Sequence, residues 1–151
     1  MKRYRSLAAL MALFGATTAL AQDAVPFAPS GTWFFRTDAR ANGRPICSEW
    51  WTFGPGDQML VNSGEEKVNK RFRVEQDDTG LWLVTENLAT NGLPDCMGQS
   101  SATVSPGENR IYLVPMNGGR VLTCPAPGRT PDGTPYVSGC YGAIMPADQV
   151  G

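Results

Sequence analysis

The chain contains no histidine. That absence excludes Ser-His-Asp and Cys-His catalysis, histidine-based metal sites and c-type haem attachment. None of its four cysteines stands in a Cys-x-x-Cys pair, the close spacing that a four-cysteine zinc site normally shows. No Gly-x-x-x-x-Gly-Lys loop is present to cradle phosphate. No stretch carries apolar residues at helical spacing. Basic residues are not in excess, with 13 Lys plus Arg against 14 Asp plus Glu. A surface of that balance does not favour nucleic acid or anionic lipid, which select a basic face. No cofactor or metal is expected from these residues.

The longest apolar run lies at the N-terminus. Lys2, Arg3 and Arg5 precede an uncharged stretch from Leu7 to Leu20, followed by Ala19-Leu20-Ala21. This is the order of a secretory signal, with cleavage expected after Ala21. The run is short for a membrane anchor, which needs about 20 apolar residues, so the mature chain is expected to have no membrane span. No cysteine follows the cleavage point to accept a lipid. Removing 21 of the 151 residues leaves 130, and losing three basic residues takes the net charge from −1 to −4. A chain of that length supports one domain with a workable core. The expected location is periplasmic or secreted. There Cys47, Cys96, Cys124 and Cys140 are expected to form two disulfides.

Residues 22–30 read as an irregular lead-in. From Gly31, short β-type runs alternate with turn signals. The runs are Thr32–Thr37, Ile46–Phe53, Gln58–Ser63, Val68–Gln76, Leu81–Asn87, Ser100–Val104, Asn109–Met116 and Gly119–Cys124. Alternation puts Trp33 with Phe35, Trp51 with Phe53, Phe72 with Val74, Leu81 with Leu83, and Ile111 with Leu113. Apolar-in, polar-out alternation marks an antiparallel sheet with one buried face. The fold expected is all-β: an eight-stranded antiparallel up-and-down barrel over 31–124, with a Pro/Gly-rich tail over 125–151. A β-sandwich is the alternative.

In such a barrel the turns alternate between ends. One end would hold Gly54-Pro55-Gly56-Asp57, Asp77-Asp78-Thr79-Gly80 and Ser105-Pro106-Gly107-Glu108, all short and rich in turn residues. The other would hold Asn42-Gly43, Ser63-Gly64, Asn91-Gly92 and Asn117-Gly118, with longer connections around Asn42 and Asn91. Cys47 and Cys96 both fall at this open end. Cys124 closes the last strand at the opposite end, with Cys140 in the tail beyond it. Four cysteines allow three pairings; the strand bookkeeping points to Cys47–Cys96 and Cys124–Cys140. The first bond would pin a long loop over the mouth, and the second would tether the tail.

Gly31-Thr32-Trp33 at the start of the first strand resembles the Gly-x-Trp opening of lipocalins and related calycin barrels. Trp51-Thr52-Phe53 with the following Gly-Pro-Gly-Asp turn is similar to the second strand and hairpin of small bacterial lipocalin-like domains. The resemblance spans about residues 31–124 and implies an eight-stranded barrel whose closed end is packed by Trp33. It implies no particular ligand. Bacterial protease inhibitors also resemble this architecture; they act through a rim and an N-terminal segment.

Three functions follow as expectations. The first is non-catalytic binding of a small apolar ligand, lined by Trp51, Phe53, Leu83 and Leu113 and oriented by Glu49, with the 88–100 loop as lid. A carboxylate beside an apolar pocket is a common orienting group. The second is an inhibitor or accessory subunit that binds an exported protein partner through Trp50, Asn91 and Asn117. Trp50 and Trp51 are adjacent, so one of them must face outward, and an exposed tryptophan is a frequent interface anchor. The third is a hydrolase using carboxylates alone. Asp77-Asp78 and Glu65-Glu66 read as solvated turn pairs, and Lys67, Lys70, Arg71 and Arg73 as a solvated strand face.

Overall fold

A computed structural model of the chain describes residues 27–150. The expected cleavage after Ala21, and most of the 22–30 lead-in, lie outside these residues. Twelve strands form, in chain order β1 (Gly31–Thr37), β2 (Arg40–Ala41), β3 (Arg44–Pro45), β4 (Ser48–Phe53), β5 (Gln58–Ser63), β6 (Glu66–Asp77), β7 (Gly80–Thr90), β8 (Glu108–Pro115), β9 (Val121–Cys124), β10 (Gly128–Arg129), β11 (Pro135–Tyr136) and β12 (Gly142–Pro146). Eight of them close into one antiparallel barrel in the order β1-β12-β9-β8-β7-β6-β5-β4. Closure leaves no free sheet edge, and the barrel replaces the sandwich alternative. The pairs β2–β3 and β10–β11 are small hairpins within connections.

Alternation assigns the faces as expected. Phe35, Trp51, Phe53, Met59, Val61, Val68, Leu83, Leu113, Val121 and Ile144 form the buried core. Trp51 faces in and Trp50 faces out, with 6% and 41% of their surface exposed. At the base, Phe27 packs edge-on to Trp33 at 5.3 Å, and Phe53 meets Trp33 at 6.5 Å and Phe72 at 4.9 Å. Trp33 donates its Nε1–H to the Ser30 carbonyl at 3.1 Å. Edge-on aromatic packing of this kind adds to simple area burial, and it plugs the closed end.

The expected strand count of eight is correct, but two assignments change. Ser100–Val104 forms no strand; it belongs to the long connection between β7 and β8. Its only apolar side chains, Ala102 and Val104, are too small to supply a strand's buried face. The eighth barrel strand is β12, in the segment expected to be an irregular tail, so the barrel extends to Pro146. Gly142-Ala143-Ile144 is buried from both sides, pairing with Arg36 and Thr37 of β1 and with Thr123 and Leu122 of β9. A Cβ at Gly142 would collide with the Arg36 carbonyl oxygen. Only glycine allows β12 to lie that close to β1.

Removing one strand before residue 108 inverts every end assignment after it. The Asn117–Gly119 turn joins β8 to β9 at the closed end, while Ser105-Pro106-Gly107 lies at the open end. Cys124 likewise sits at the open end. Both disulfides form as expected, Cys47–Cys96 and Cys124–Cys140. They belong to an oxidising environment. No helix among the described residues is long and apolar enough to cross a membrane.

Candidate functional site

The inward-facing positions change character along the barrel. On β4 the sequence from mouth to base is Glu49, Trp51, Phe53. On β6 it is Glu66, Val68, Lys70, Phe72, Val74. On β7 a bulge at Leu88 shifts the register between Asn69 and Lys70, so that Lys70 pairs with Asn87 while Val68 pairs with Thr90. A bulge re-aims side chains, and here it turns both Asn87 and Thr90 toward the interior. Together with Ser63 at the end of β5, these residues make the upper half of the barrel polar.

A cavity of about 240 Å³ occupies this upper half. Glu49, Ser63, Glu66, Lys70, Asn87 and Thr90 line its walls, with Val61 and Val68 as its floor. The β7–β8 connection roofs it with Asp95, Ser101, Thr103, Val104 and Ser105. The connection is fixed where it leaves the wall. The Glu65 and Glu66 N–H groups both donate to the Pro94 carbonyl at 2.9 Å. Cys96 is bonded to Cys47 and donates its N–H to Ser63 Oγ at 3.2 Å. A Cβ at Gly64, which has φ of +61°, would come within 2.7 Å of the Asp95 backbone. The lid thus rests directly on the β5–β6 turn, and glycine there is required twice, by conformation and by space.

Glu49 sits beneath the staple. Its Oε2 accepts the Trp51 Nε1–H at 2.7 Å, and its Oε1 lies 3.8 Å and 3.9 Å from the two disulfide sulfurs. Cys47, Glu49 and Cys96 bring their ligand-type atoms within 4.8 Å of one another. Both sulfurs are committed to the S–S bond, so the cluster offers a metal a single carboxylate. Glu66 accepts the Thr90 hydroxyl at 2.9 Å through Oε1. Burial holds the Lys70 ammonium below the usual lysine range, and the charges of Glu49 and Glu66 offset part of that effect.

Of the expected ligand-lining residues, Glu49 borders this cavity. Trp51, Phe53, Leu83 and Leu113 are packed into the core below it, each with 6% or less of its surface exposed. The open space therefore lies one layer nearer the mouth than the sequence reading placed it. The expected rim residues are separated. Trp50 is on the outer wall, its ring tilted against Phe34 with centroids 4.7 Å apart. Asn91 is at the mouth, where it accepts the Lys67 N–H at 3.0 Å and donates to the Glu65 carbonyl at 3.0 Å. Asn117 is at the closed end. These three do not form one surface.

Lys70, Glu66, Ser63 and Asn87 are the residues that sequence reading missed. Lys70 was grouped with its exposed neighbours, although Val68-Lys70-Phe72-Val74 is an unbroken inward series that includes it. Arg71 and Arg73 do lie outside as expected, paired with Asp57 and with Glu75 and Glu108. Glu66 was assigned to a turn but opens β6. Comparison of the chain with protein-family models, with curated proteins and with solved structures finds no match to any of them.

Proposed function

We propose that this is an exported, non-catalytic binding protein with a lipocalin-like barrel that holds a small polar molecule in its mouth. The observation that carries the reading is the stapled, roofed cavity whose walls are Glu49, Glu66, Lys70 and Asn87. A concave site with a few convergent polar groups on an apolar floor is the usual form of a small-molecule pocket. The polar lining replaces the apolar ligand of the sequence reading, because the apolar residues are already packed against one another. A carboxylate-only hydrolase needs two acids at one cleft, and Glu49 and Glu66 do border the same space. Binding is preferred over bond cleavage because Glu49 is held in place by the Trp51 Nε1–H, which donates to its Oε2.

Native mass spectrometry of protein purified gently from its exported fraction tests this reading. A retained small-molecule adduct, lost from the Lys70→Met variant, is the expected result. A bare chain at every collision energy, with no ligand recovered on denaturation, overturns it. The same spectrum reports cleavage after Ala21.

Trp50, exposed on the outer wall beside the half-buried Phe34, favours a second reading, an accessory subunit that docks a protein there. That reading predicts a co-purified protein partner lost on Trp50→Ala while the mouth remains intact. Retention of the partner by that variant excludes it.

A further inference from the structure

The hydrogen-bonding capacity left unused in the mouth identifies the class of ligand, given the small-molecule reading above. Lys70 and Asn87 are direct cross-strand partners on the inner face of β6 and β7. Both side chains border the cavity. Among the described residues, no carboxylate lies within 4.0 Å of the Lys70 ammonium. An ammonium carries three donors and an amide two. A half-enclosed cation with no acceptor is costly unless something else supplies one. This wall is therefore built for an acceptor-rich group, and a carboxylate can take bonds from both residues at once.

The mouthward end of the same strand, with β4 beyond it, asks for the opposite. Glu66 engages Thr90 through Oε1 and leaves Oε2 to the cavity. Glu49 adds a second negative charge beneath it. With one ammonium and the carboxylates of Glu49, Glu66 and, in the roof, Asp95, the lining is net negative. A simple anion would meet Lys70 but be repelled by both glutamates. A simple cation would meet the glutamates but be repelled by Lys70. A molecule bearing both charges matches both sets of groups. A volume of about 240 Å³ falls below the roughly 300–1,000 Å³ of sites for drug-sized ligands, so the molecule is small.

We propose that the mouth binds a small zwitterion of the amino-acid class, its carboxylate on Lys70 and Asn87 and its ammonium on Glu66 and Glu49. Burial lowers the Lys70 pKa, and an arriving carboxylate raises it, so ligand and residue stabilise each other.

The test is calorimetric titration of the disulfide-intact protein with three equimolar mixtures. The first is the twenty L-α-amino acids with β-alanine and γ-aminobutyrate. The second is their N-acetyl derivatives, and the third their carboxamides. Free amino acids are expected to bind at least tenfold tighter than either blocked set. Lys70→Met should lose at least tenfold for the free set yet gain affinity for the carboxamides. Glu66→Gln should lose similarly but gain for the N-acetyl set. This crossover cannot arise from a variant that merely misfolds. N-acetyl derivatives binding as tightly as free amino acids would overturn the zwitterion and leave the small-molecule reading standing. So would a retained native adduct lacking either charge. If no mixture binds and no adduct is retained, both fall.

Discussion

The two ends of the barrel are built by the same strands and obey the same alternation, yet they do different work. At the base, the inward residues are Phe53, Phe72 and Trp33, joined to Phe27 in an edge-on aromatic chain. At the mouth they are Glu49, four residues from Phe53 on β4, Lys70, two residues from Phe72 on β6, and Ser63 at the end of β5. The base is held by packing. The mouth is held by a disulfide, by backbone bonds from Glu65 and Glu66 to Pro94, and by Ser63. Period-2 alternation decides whether a side chain faces in, but depth along the strand decides whether it serves as core or as site. A small barrel can thus keep its stability in one half and place polar groups, costly to bury, in the other.

The comparison breaks most visibly under core truncation. Phe53→Ala should destabilise the fold by about 3–5 kcal/mol, measured by urea unfolding, because it opens a cavity among Trp33 and Phe72. At ligand saturation the folded fraction should still bind normally. A binding defect larger than the folded fraction explains would mean that base and mouth are one cooperative unit.

Next in size is the staple. Cys47 and Cys96 are separated by 49 residues, and Cys124 and Cys140 by 16. Loop-closure entropy assigns roughly 4 kcal/mol to the first and roughly 3 kcal/mol to the second. The Cys47→Ala/Cys96→Ala double variant should also weaken ligand retention, since it frees the lid; Cys124→Ala/Cys140→Ala should affect stability alone. Equal ligand loss in both would show that the lid is positioned by the barrel as a whole.

A smaller effect of opposite sign is expected at Lys70. Replacing a half-enclosed, unpaired ammonium with methionine should raise ligand-free stability by on the order of 1 kcal/mol. Truncation at the base and neutralisation at the mouth would then move the unfolding midpoint in opposite directions. A Lys70→Met protein less stable than wild type would mean that the lysine is a structural element of the wall.

Much of this arrangement is legible in the sequence. Glu49-Trp50-Trp51-Thr52-Phe53 alternates cleanly, and its faces are as read. The turn residues mark the hairpins, and the Cys47–Cys96 pairing was legible because both connections do reach the mouth. The closing strand was hidden because Gly142-Ala143-Ile144 is short, unalternating and embedded between prolines and glycines. What makes it a strand is a slot between β1 and β9 that exists only once the rest has folded. Ser100–Val104 fails for the converse reason, having strand-compatible residues but only the small Ala102 and Val104 as an apolar face. The Cys124–Cys140 pairing was right although the end assigned to Cys124 was wrong, since Cys140 is near it in sequence at either end. Lys70 and Glu66 were legible but overlooked, because a charge reads as surface until its register is followed through the strand.

The smallest predicted effect lies at the base and tests whether its turns are held by charge as well as by packing. The Asp77 carboxylate accepts bonds from the Thr79 hydroxyl and N–H, from the Trp82 indole and from the Gly80 N–H. The Thr79 hydroxyl contributes most, and together these bonds hold Asp77 down to about 2 against an ordinary value of 3.8. A carboxylate whose pKa is lower in the folded state than in the unfolded one stabilises the fold at pH above the unfolded value. That contribution is lost as pH falls through the folded value. The stability lost in Asp77→Asn should therefore be full above about pH 4 and vanish near pH 2, read as the difference in urea midpoint across that window. Arg73, Glu75, Glu108 and Arg110 form a neighbouring surface network that also weakens in acid. Arg110 also lies 3.7 Å from Asp77 Oδ2, so the difference contains that pair as well as the turn's own bonds, while the Arg73–Glu108 part is common to both proteins. A difference that stays constant to pH 2 would show that the turn depends on the shape of the Asp77 side chain and not on its charge, leaving packing as what holds the base.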